Sequence, residues 1–212
     1  MIELKYRNWN EININTFQKL QNVLAMEKMG DDVIDGINQN ISILSILCDV
    51  DEDVISNLTG KEYNQLLSEI EFLNELPKVK IKDSYIINNK KYDVALNIDK
   101  LTMAQYIDFQ TFCKDKDKYM KELLTCFLIP KGKKYGEGYN LNDVKNDIGE
   151  HLSIVDAHSM MFFFILSFQT LTKTTLHYFV KKMKKQMKTM TMEQRVKTEE
   201  VITMLKNLTL SM

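Results

Sequence analysis

Apolar side chains recur at helical spacing along most of this chain. Phe17, Leu20 and Leu24 stand three and four residues apart, which places them on one face of a helix that begins near Thr16. The chain has only two prolines and seven glycines, so long helices are favoured over a fold with many turns. Spacing and composition predict further helices over residues 31–48, 49–58, 59–73, 102–114, 117–129, 142–150, 153–180, 181–190 and 192–208, the one over 153–180 being either continuous or interrupted near Thr170.

The predicted helix over residues 31–48 has a broad apolar face. Val33, Ile34 and Ile37 lie in its first half, and further isoleucines and leucines follow at helical spacing. Such a face is typical of a helix that packs against a core. Gly36 weakens the first turns, so we expect an irregular start.

Three positions carry the sequence signal of a helix start. Asp49, Thr59 and Thr102 each stand three residues before a glutamate or glutamine, which is the spacing of a capping box. In that arrangement the first side chain accepts a hydrogen bond from the later backbone amide, and the later side chain accepts one from the first backbone amide. The spacing therefore predicts that helices begin at these three positions.

Two segments alternate apolar and polar residues with the period of a strand. The alternation over residues 2–9 predicts a short N-terminal strand. After Pro77, alternation on both sides of Asn88-Asn89-Lys90 predicts a β-hairpin, because asparagine tolerates the positive φ of a tight turn.

These elements predict a mainly α fold, a helical two-lobed domain with a short N-terminal strand and one small β-hairpin. A chain of 212 residues is long enough for one domain with a sizeable core or for two small ones. We place the boundary at Pro77. The expected units are an N-terminal helical lobe over residues 1–76, and the hairpin with a C-terminal helical lobe over residues 77–212.

The composition is that of an ordinary globular protein, 44% hydrophobic and 27% charged. The net charge of -1 gives no global attraction to nucleic acid or to an acidic membrane, so any such binding has to be local. Cys48, Cys113 and Cys126 are an odd count among apolar neighbours, which favours free thiols in a reducing compartment. The first residues lack the apolar core of a signal peptide, so secretion is not expected.

The histidines come closest to a metal-binding pattern. His151 and His158 are seven residues apart and return to one helix face near Asp156, but helical metal sites use spacings of three or four. Ordinary polar roles are therefore favoured. The sequence contains no motif that combines a nucleophile with a paired acid and base. We therefore expect no enzyme activity, catalytic residue, metal or cofactor. A hydrolase or nuclease whose site is invisible in one sequence is the enzymatic alternative.

The segment Pro130–Tyr139 is a glycine-rich loop with three lysines. It lacks the residue order of a nucleotide-binding loop and follows a predicted helix, whereas nucleotide loops follow a strand. One interpretation is contact with a partner chain or a nucleic-acid backbone, and the other is a solvated connection. The candidate contact residues are Lys131, Lys133, Lys134 and Tyr135.

The run Ser159–Phe168 is the most apolar part of the chain. It is too short to span a bilayer, which needs about 20 residues, so a buried helix is favoured, with a protein interface or a membrane surface as alternatives. The lysines that follow either form a solvated face above a methionine seam or bind a phosphate backbone or an acidic partner. A third interpretation is that the methionines form a seam between copies in an oligomer. The candidate contact residues here are Phe162, Phe163, Phe164, Lys181, Lys182, Lys184 and Lys185.

Several of these segments resemble proteins of tailed bacteriophages. Cys48–Tyr63, followed by Phe72-Leu73, is similar to the short helical pattern of phage tail assembly proteins, including chaperones. Leu101–Asp108 and Pro130–Tyr135 resemble segments of proteins from crAss-like phages of Bacteroides. The bias toward Asn, Lys and Ile suits the AT-rich composition of that group.

The resemblance implies a non-enzymatic, virion-associated protein. In crAss-like phages the tail barrel is built from rings of small proteins, and capsid and tail both carry packaged cargo proteins. We therefore expect packaged cargo or a tail or neck component that acts through oligomeric helical contacts; the alternative is a tail assembly chaperone absent from the mature particle. Expected partners are other copies of itself and phage tail, portal or capsid proteins, with DNA backbone reached through local basic segments and no membrane. The expected location is the virion, and the host cytoplasm during assembly.

Overall fold

Helices make up most of the chain, which confirms the predicted mainly α fold. The computed structural model describes residues 2–26, 32–75, 77, 80–97, 100–115, 118–187, 192, 195, 198–200 and 202–203, apart from the side chains of residues 169 and 171–179. The α-helices are α1 (Ile14–Leu24), α2 (Asp32–Cys48), α3 (Glu52–Ser56), α4 (Gly60–Glu69), α5 (Met103–Phe112), α6 (Met120–Thr125), α7 (Leu141–His151) and α8 (Ile154–Gln186). The strands are β1 (Ser84–Ile87), β2 (Lys90–Val94) and β3 (Leu128–Pro130).

Two of the three predicted capping boxes form. Thr59 Oγ1 accepts from the amide of Glu62, whose carboxylate accepts from the amide of Thr59 at 3.0 Å. Thr102 and Gln105 repeat this exchange at the start of α5, with an N–O distance of 2.9 Å for the returning bond. Each pair satisfies two amides that a helix start leaves without partners.

The third predicted helix start is wrong. Asp49 has a φ of 58° and lies outside the helix, with its carboxylate 2.6 Å from Lys5 Nζ. Asp51 is the N-cap instead, and its side chain makes no capping hydrogen bond. Asp49 and Val50 lie in the turn after α2. α3 therefore begins later than predicted and has five residues.

The predicted N-terminal strand is also wrong. The backbone amides of Lys5 and Tyr6 converge on one acceptor, the carbonyl of Leu47, at 2.9 and 3.2 Å. This carbonyl lies at the C-terminal end of α2, where carbonyls lack partners within the helix. Residues 2–9 therefore cap a helix end, and no strand is assigned within them.

The apolar face of α2 is buried only toward its C-terminal end. Leu44 and Leu47 are fully buried, whereas Val33, Ile34 and Ile37 are 71%, 53% and 47% exposed. The broad face predicted from the sequence is thus divided between a buried half and a solvent-facing half. Periodicity identifies the face but not how far along the helix its neighbours extend.

The sheet contains the predicted hairpin and one further strand, in the order β1-β2-β3 with both pairings antiparallel. Asn88 and Asn89 have φ values of 49° and 58°, as a two-residue hairpin turn requires. β3 replaces the end of the helix predicted over 117–129, because α6 stops at Thr125. Pro130, which has no amide to donate, lies on an edge strand, where proline is tolerated.

The chain divides into two compact units, Met1–Met161 and Phe162–Met212, with the division inside α8. The boundary predicted at Pro77 falls within the first unit, and the division into lobes at that point stays a prediction. α8 is continuous through Thr170 and extends to Gln186, so it includes part of the helix predicted over 181–190. Much of the last predicted helix, over 192–208, lies outside the described residues.

Distant parts of the first unit are joined near the start of α8. Asn13 pairs with Ser153 in an isolated antiparallel bridge, and the amide of Ile154 donates to the carbonyl of Ile12 at 2.8 Å. Ile12 and Ile14 are fully buried beside this bridge. The N-terminal segment therefore completes the core formed by α6, α7 and the start of α8.

α7 approaches α1 and α6 closely at Gly149. A Cβ atom there would lie 2.8 Å from Asn15 Oδ1 and 2.8 Å from Lys121 Cδ. These two side chains are hydrogen-bonded to each other at 3.0 Å. Glycine in the helix interior, which normally weakens a helix, here permits the contact.

Candidate functional site

The loop of residues 131–139 connects β3 to α7 and folds back on itself. Gly132, Gly136 and Gly138 have φ values of 77°, 71° and 74°, which only glycine adopts without strain. The amide of Glu137 donates to the carbonyl of Lys134 at 2.9 Å, closing a tight turn. The three candidate lysines of this loop, Lys131, Lys133 and Lys134, are all exposed.

Tyr135, the fourth candidate in this loop, is partly buried and attaches the loop to α5. Its hydroxyl donates to Asp108 Oδ2 at 2.7 Å and lies 4.0 Å from Cys126 Sγ. Burial is the main reason that the pKa of Tyr135 lies well above its usual value. Burial also raises the pKa of the Cys126 thiol to about 12, so this cysteine is not an activated nucleophile.

The three candidate phenylalanines of α8 have different environments. Phe162 is 64% exposed, Phe163 is partly buried and Phe164 is 1% exposed. Leu166, four residues after Phe162, is 46% exposed, so the two form one solvent-facing apolar stripe. We call Phe162 and Leu166 the α8 stripe.

The candidate lysines Lys181, Lys182, Lys184 and Lys185 are exposed near the C-terminal end of α8. Met183 and Met187 beside them are partly buried. No aspartate or glutamate occurs in the sequence between Asp156 and Glu193, so this part of the chain is purely cationic. In the described part of the chain no ion pair engages these four lysines.

The sequence did not reveal a buried carboxylate that joins the hairpin to α7. Asp147 is 8% exposed and accepts hydrogen bonds from Asn88 Nδ2 at 2.8 Å, Lys90 Nζ at 2.8 Å and Tyr92 Oη at 2.7 Å. Burial raises its pKa, but the three hydrogen bonds outweigh burial and hold the pKa below its usual 3.8. Because both oxygens are engaged by structural donors, this cluster stabilises the fold and leaves no free base. The only local signal was the turn sequence Asn88-Asn89-Lys90.

A polar groove of about 380 Å³ lies between the N-terminal segment, α1 and the end of α2. Tyr6, Lys19, Ser45 and Asp51 are among the residues that line it. Thr16 also lines it and is 7% exposed. Its hydroxyl has no hydrogen-bond partner among the described residues, since only its backbone amide is engaged, by Asn13 at 2.8 Å.

The polar residues considered as metal ligands have separate neighbours. His151 Nε2 lies 3.8 Å from Glu150, Asp156 pairs with Lys82 at 3.0 Å, and the His158 ring contacts Phe17 edge-on. Among the described residues no three His, Cys, Asp or Glu side chains are grouped to hold a metal ion.

Membrane-spanning helices, disulfide bonds and known relatives do not help to locate a site in the described chain. Within the described part of the chain, no helix has both the length and the apolar character needed to cross a membrane. None of the three cysteines is in a disulfide; Cys48 and Cys126 are buried and Cys113 is partly buried. Comparison with protein-family models, with curated proteins and with solved structures finds no match for this chain.

Proposed function

We propose that the chain is a non-enzymatic, virion-associated protein of a tailed phage, acting as packaged cargo or as a tail or neck component through oligomeric helical contacts. The observation that carries the proposal is the α8 stripe, in which Phe162 and Leu166 are 64% and 46% exposed on one helix face. Paired apolar side chains at helical spacing are the usual anchors when one helix docks on another protein. The resemblance to phage proteins supplies the class of partner.

A second exposed stripe supports contact with more than one neighbour. On α5, Met103 and Ile107 are four residues apart and are 71% and 56% exposed. The α5 stripe belongs to the first unit and the α8 stripe to the second. A component of a ring or of a packed assembly needs two such surfaces, because each copy contacts a neighbour on either side.

A tail assembly chaperone is the second candidate, and the exposed methionines favour it. Met26 and Met103 are 65% and 71% exposed, in a chain with 13 methionines. Methionine is flexible and polarizable, so it packs against apolar surfaces of varied shape. A protein that covers tail subunits before assembly would use such side chains.

Quantitative mass spectrometry of purified phage particles tests the proposal and separates the two candidates. For a virion component, we expect a constant ratio of this chain to the major capsid protein across successive density gradients. The host proteins of the same lysate are the control, since their ratio falls with each gradient. A chaperone would be abundant in the infected-cell lysate and bound to tail subunits there, but lost from the particles.

The proposal is wrong if the chain is lost from the particles at the rate of the host proteins. Both candidates are wrong if, in addition, the chain isolated from infected cells carries no tail, portal or capsid protein.

A further inference from the structure

Opposite charges are segregated along this chain even though its net charge is only -1. Residues 49–75 contain eight acidic residues and one basic residue, Lys61, and all eight acidic residues are exposed. The stretch between Asp156 and Glu193 contains lysines and no acidic residue. Charges segregated in this way produce local fields that net charge does not reveal.

Two exposed carboxylates that follow the end of α2 have no ion pair among the described residues. Asp49 is compensated by Lys5 at 2.6 Å, with Lys19 also nearby. Asp51 makes no capping bond, and in the described part of the chain neither Asp51 nor Asp53 has an ion-pair partner. They remain available to a cation from outside.

Glu69 belongs to the same region and is likewise without an ion pair among the described residues. Glu69 is the last residue of α4, which packs against α2, and its carboxylate adds to the effect of burial in raising the pKa of Cys48, the last residue of α2. The last turn of α2 has no basic residue, but the amides of Lys5 and Tyr6 cap its Leu47 carbonyl, so the negative charge of this region comes from the carboxylates. We call Asp51, Asp53 and Glu69 the acidic patch.

The polar groove gives this region a shape that receives a side chain. Asp51 forms part of its lining, and Thr16, more than nine-tenths buried, presents a hydroxyl that no described residue engages. A hydroxyl oxygen accepts a hydrogen bond from an ammonium group, whereas lysine has no acceptor of its own. The groove therefore offers the Asp51 carboxylate and the Thr16 hydroxyl as acceptors to an incoming lysine, beside Lys19, which also lines it.

The cationic part of α8 has the matching features. Lys181, Lys184 and Lys185 are at helical spacings of three and four, so they share one face. All three are exposed, and within the described residues they have no acidic partner. We call these three lysines the basic face.

We infer that the acidic patch of one copy binds the basic face of α8 from a second copy. The inference deepens the oligomeric contact of the proposed function and rests on it for its biological setting. The two surfaces differ, so each copy binds one neighbour through its acidic patch and another through its basic face. The interface is therefore head-to-tail. Such a contact closes into a ring or extends as a filament according to the rotation between neighbours. Single exposed ion pairs contribute little, so the contact depends on the whole set of charges.

A charge-swap experiment tests this contact. One variant carries Lys181→Glu, Lys184→Glu and Lys185→Glu, and a second carries Asp51→Lys, Asp53→Lys and Glu69→Lys. By analytical ultracentrifugation at micromolar concentration and low salt, we expect the parent to associate and each variant alone to be monomeric. An equal mixture of the two should associate again, because each then offers the charge that the other lacks.

Matched controls keep the result specific. Lys80→Glu, Lys91→Glu and Lys114→Glu make the same change of charge at exposed lysines outside the basic face, and this variant should associate as the parent does. Raising NaCl from about 50 to about 500 mM should weaken parental association by roughly tenfold or more, since salt screens exposed charges. Circular dichroism checks that each variant is folded, and Asp51→Asn, Asp53→Asn and Glu69→Gln replace the lysine variant if it is not.

Three results would overturn the inference: a parent that is monomeric at low salt, swapped variants that associate like the parent, or a mixture that stays monomeric. Where the neutral variant is used, its association at the parental level would overturn the inference as well. None of these results bears on whether the chain is present in purified particles. The proposed function and this contact can therefore fail separately.

Discussion

The hydroxyl of Tyr92 donates to Asp147 Oδ2 at 2.7 Å and so joins β2 to α7 across 55 residues of sequence. Tyr92 is 1% exposed, and Asn88 and Lys90 of the same hairpin also donate to this carboxylate. Three donors of the hairpin thus share one acidic side chain. Since an isolated hairpin is marginal in water, this attachment adds to the pairing of β2 with β3 and to the burial of Tyr85 and Ile87.

We predict that Asp147→Asn lowers the free energy of unfolding by about 2 kcal/mol, because three donors, of which Tyr92 is buried, lose a charged acceptor. Asp143→Asn, an exposed change on the same helix, is the control and should stay within about 0.5 kcal/mol of the parent. Urea denaturation measures both. Equal midpoints for the two variants would mean that the Asp147 cluster does not hold the hairpin.

The same carboxylate should make stability depend on pH. The pKa of Asp147 in the folded protein lies below the usual 3.8. Its contribution to folding stability is therefore complete above that usual value and is lost as the pH falls through the pKa of the folded state. The difference in unfolding free energy between the parent and Asp147→Asn should therefore be constant from neutral pH to about pH 5 and shrink below about pH 4. A difference that grows on acidification would contradict this assignment.

The hairpin turn predicts opposite effects for two substitutions of Asn89, whose φ is 58°. Asn89→Gly should be neutral or stabilising by a few tenths of a kcal/mol, since glycine adopts this conformation freely. Asn89→Val should destabilise by about 1–2 kcal/mol, because a β-branched residue is strained there. Thermal melts compare the two, and a valine variant as stable as the glycine variant would exclude this turn.

The capping box at the start of α5 gives a prediction for Thr102. Thr102→Ala should cost about 1 kcal/mol, because the amide of Gln105 loses its acceptor. Thr111→Ala on the same helix removes a hydroxyl that donates to the carbonyl of Ile107, and it should cost much less. Chemical denaturation of both variants decides whether the helix begins where the cap places it.

Substitutions of two phenylalanines of α8 should show that stability and association depend on different side chains. Phe164→Ala should lower the unfolding free energy by about 3–5 kcal/mol, since its side chain is 1% exposed. Phe162→Ser should change it by no more than about 0.5 kcal/mol but weaken binding to the assembly partner, because its side chain is 64% exposed. Calorimetry measures the first effect and co-sedimentation with purified tail or capsid proteins the second. A Phe162→Ser variant that binds like the parent would remove the α8 stripe from the proposed interface.

Features determined by neighbouring residues were predictable from the sequence. The capping boxes at Thr59 and Thr102 and the turn at Asn88-Asn89 each depend on a few adjacent residues. Their hydrogen bonds are made within the same four residues, so spacing and residue type predict them. The same spacing failed at Asp49, whose carboxylate pairs with the distant Lys5. The sequence leaves open whether α8 continues through Thr170. Threonine is a weak helix former, so packing decides whether an apolar helix continues through it.

Features that depend on distant partners could not be predicted in this way. β3 forms because Leu128 and Ile129 pair with β2, and the preceding apolar run is equally typical of a helix. Asp147 is surrounded by ordinary polar residues in the sequence, and its three donors lie more than 50 positions earlier. The acidic patch and the basic face are visible in the composition of the sequence, but only the structure shows that they lack ion-pair partners among the described residues.

The bridge between Asn13 and Ser153 has a consequence for synthesis on the ribosome. Asn13 Nδ2 donates to the carbonyl of Glu150, 137 residues later, so the first helix cannot complete its contacts until that residue has left the exit tunnel. At about 5–20 residues per second, Ile12 and Ile14 wait on the order of ten seconds without the neighbours that later bury them. Closing so long a loop also carries an entropic penalty that only cooperative packing overcomes. The nascent chain thus passes through an interval in which its N-terminal apolar residues are accessible to cellular folding factors.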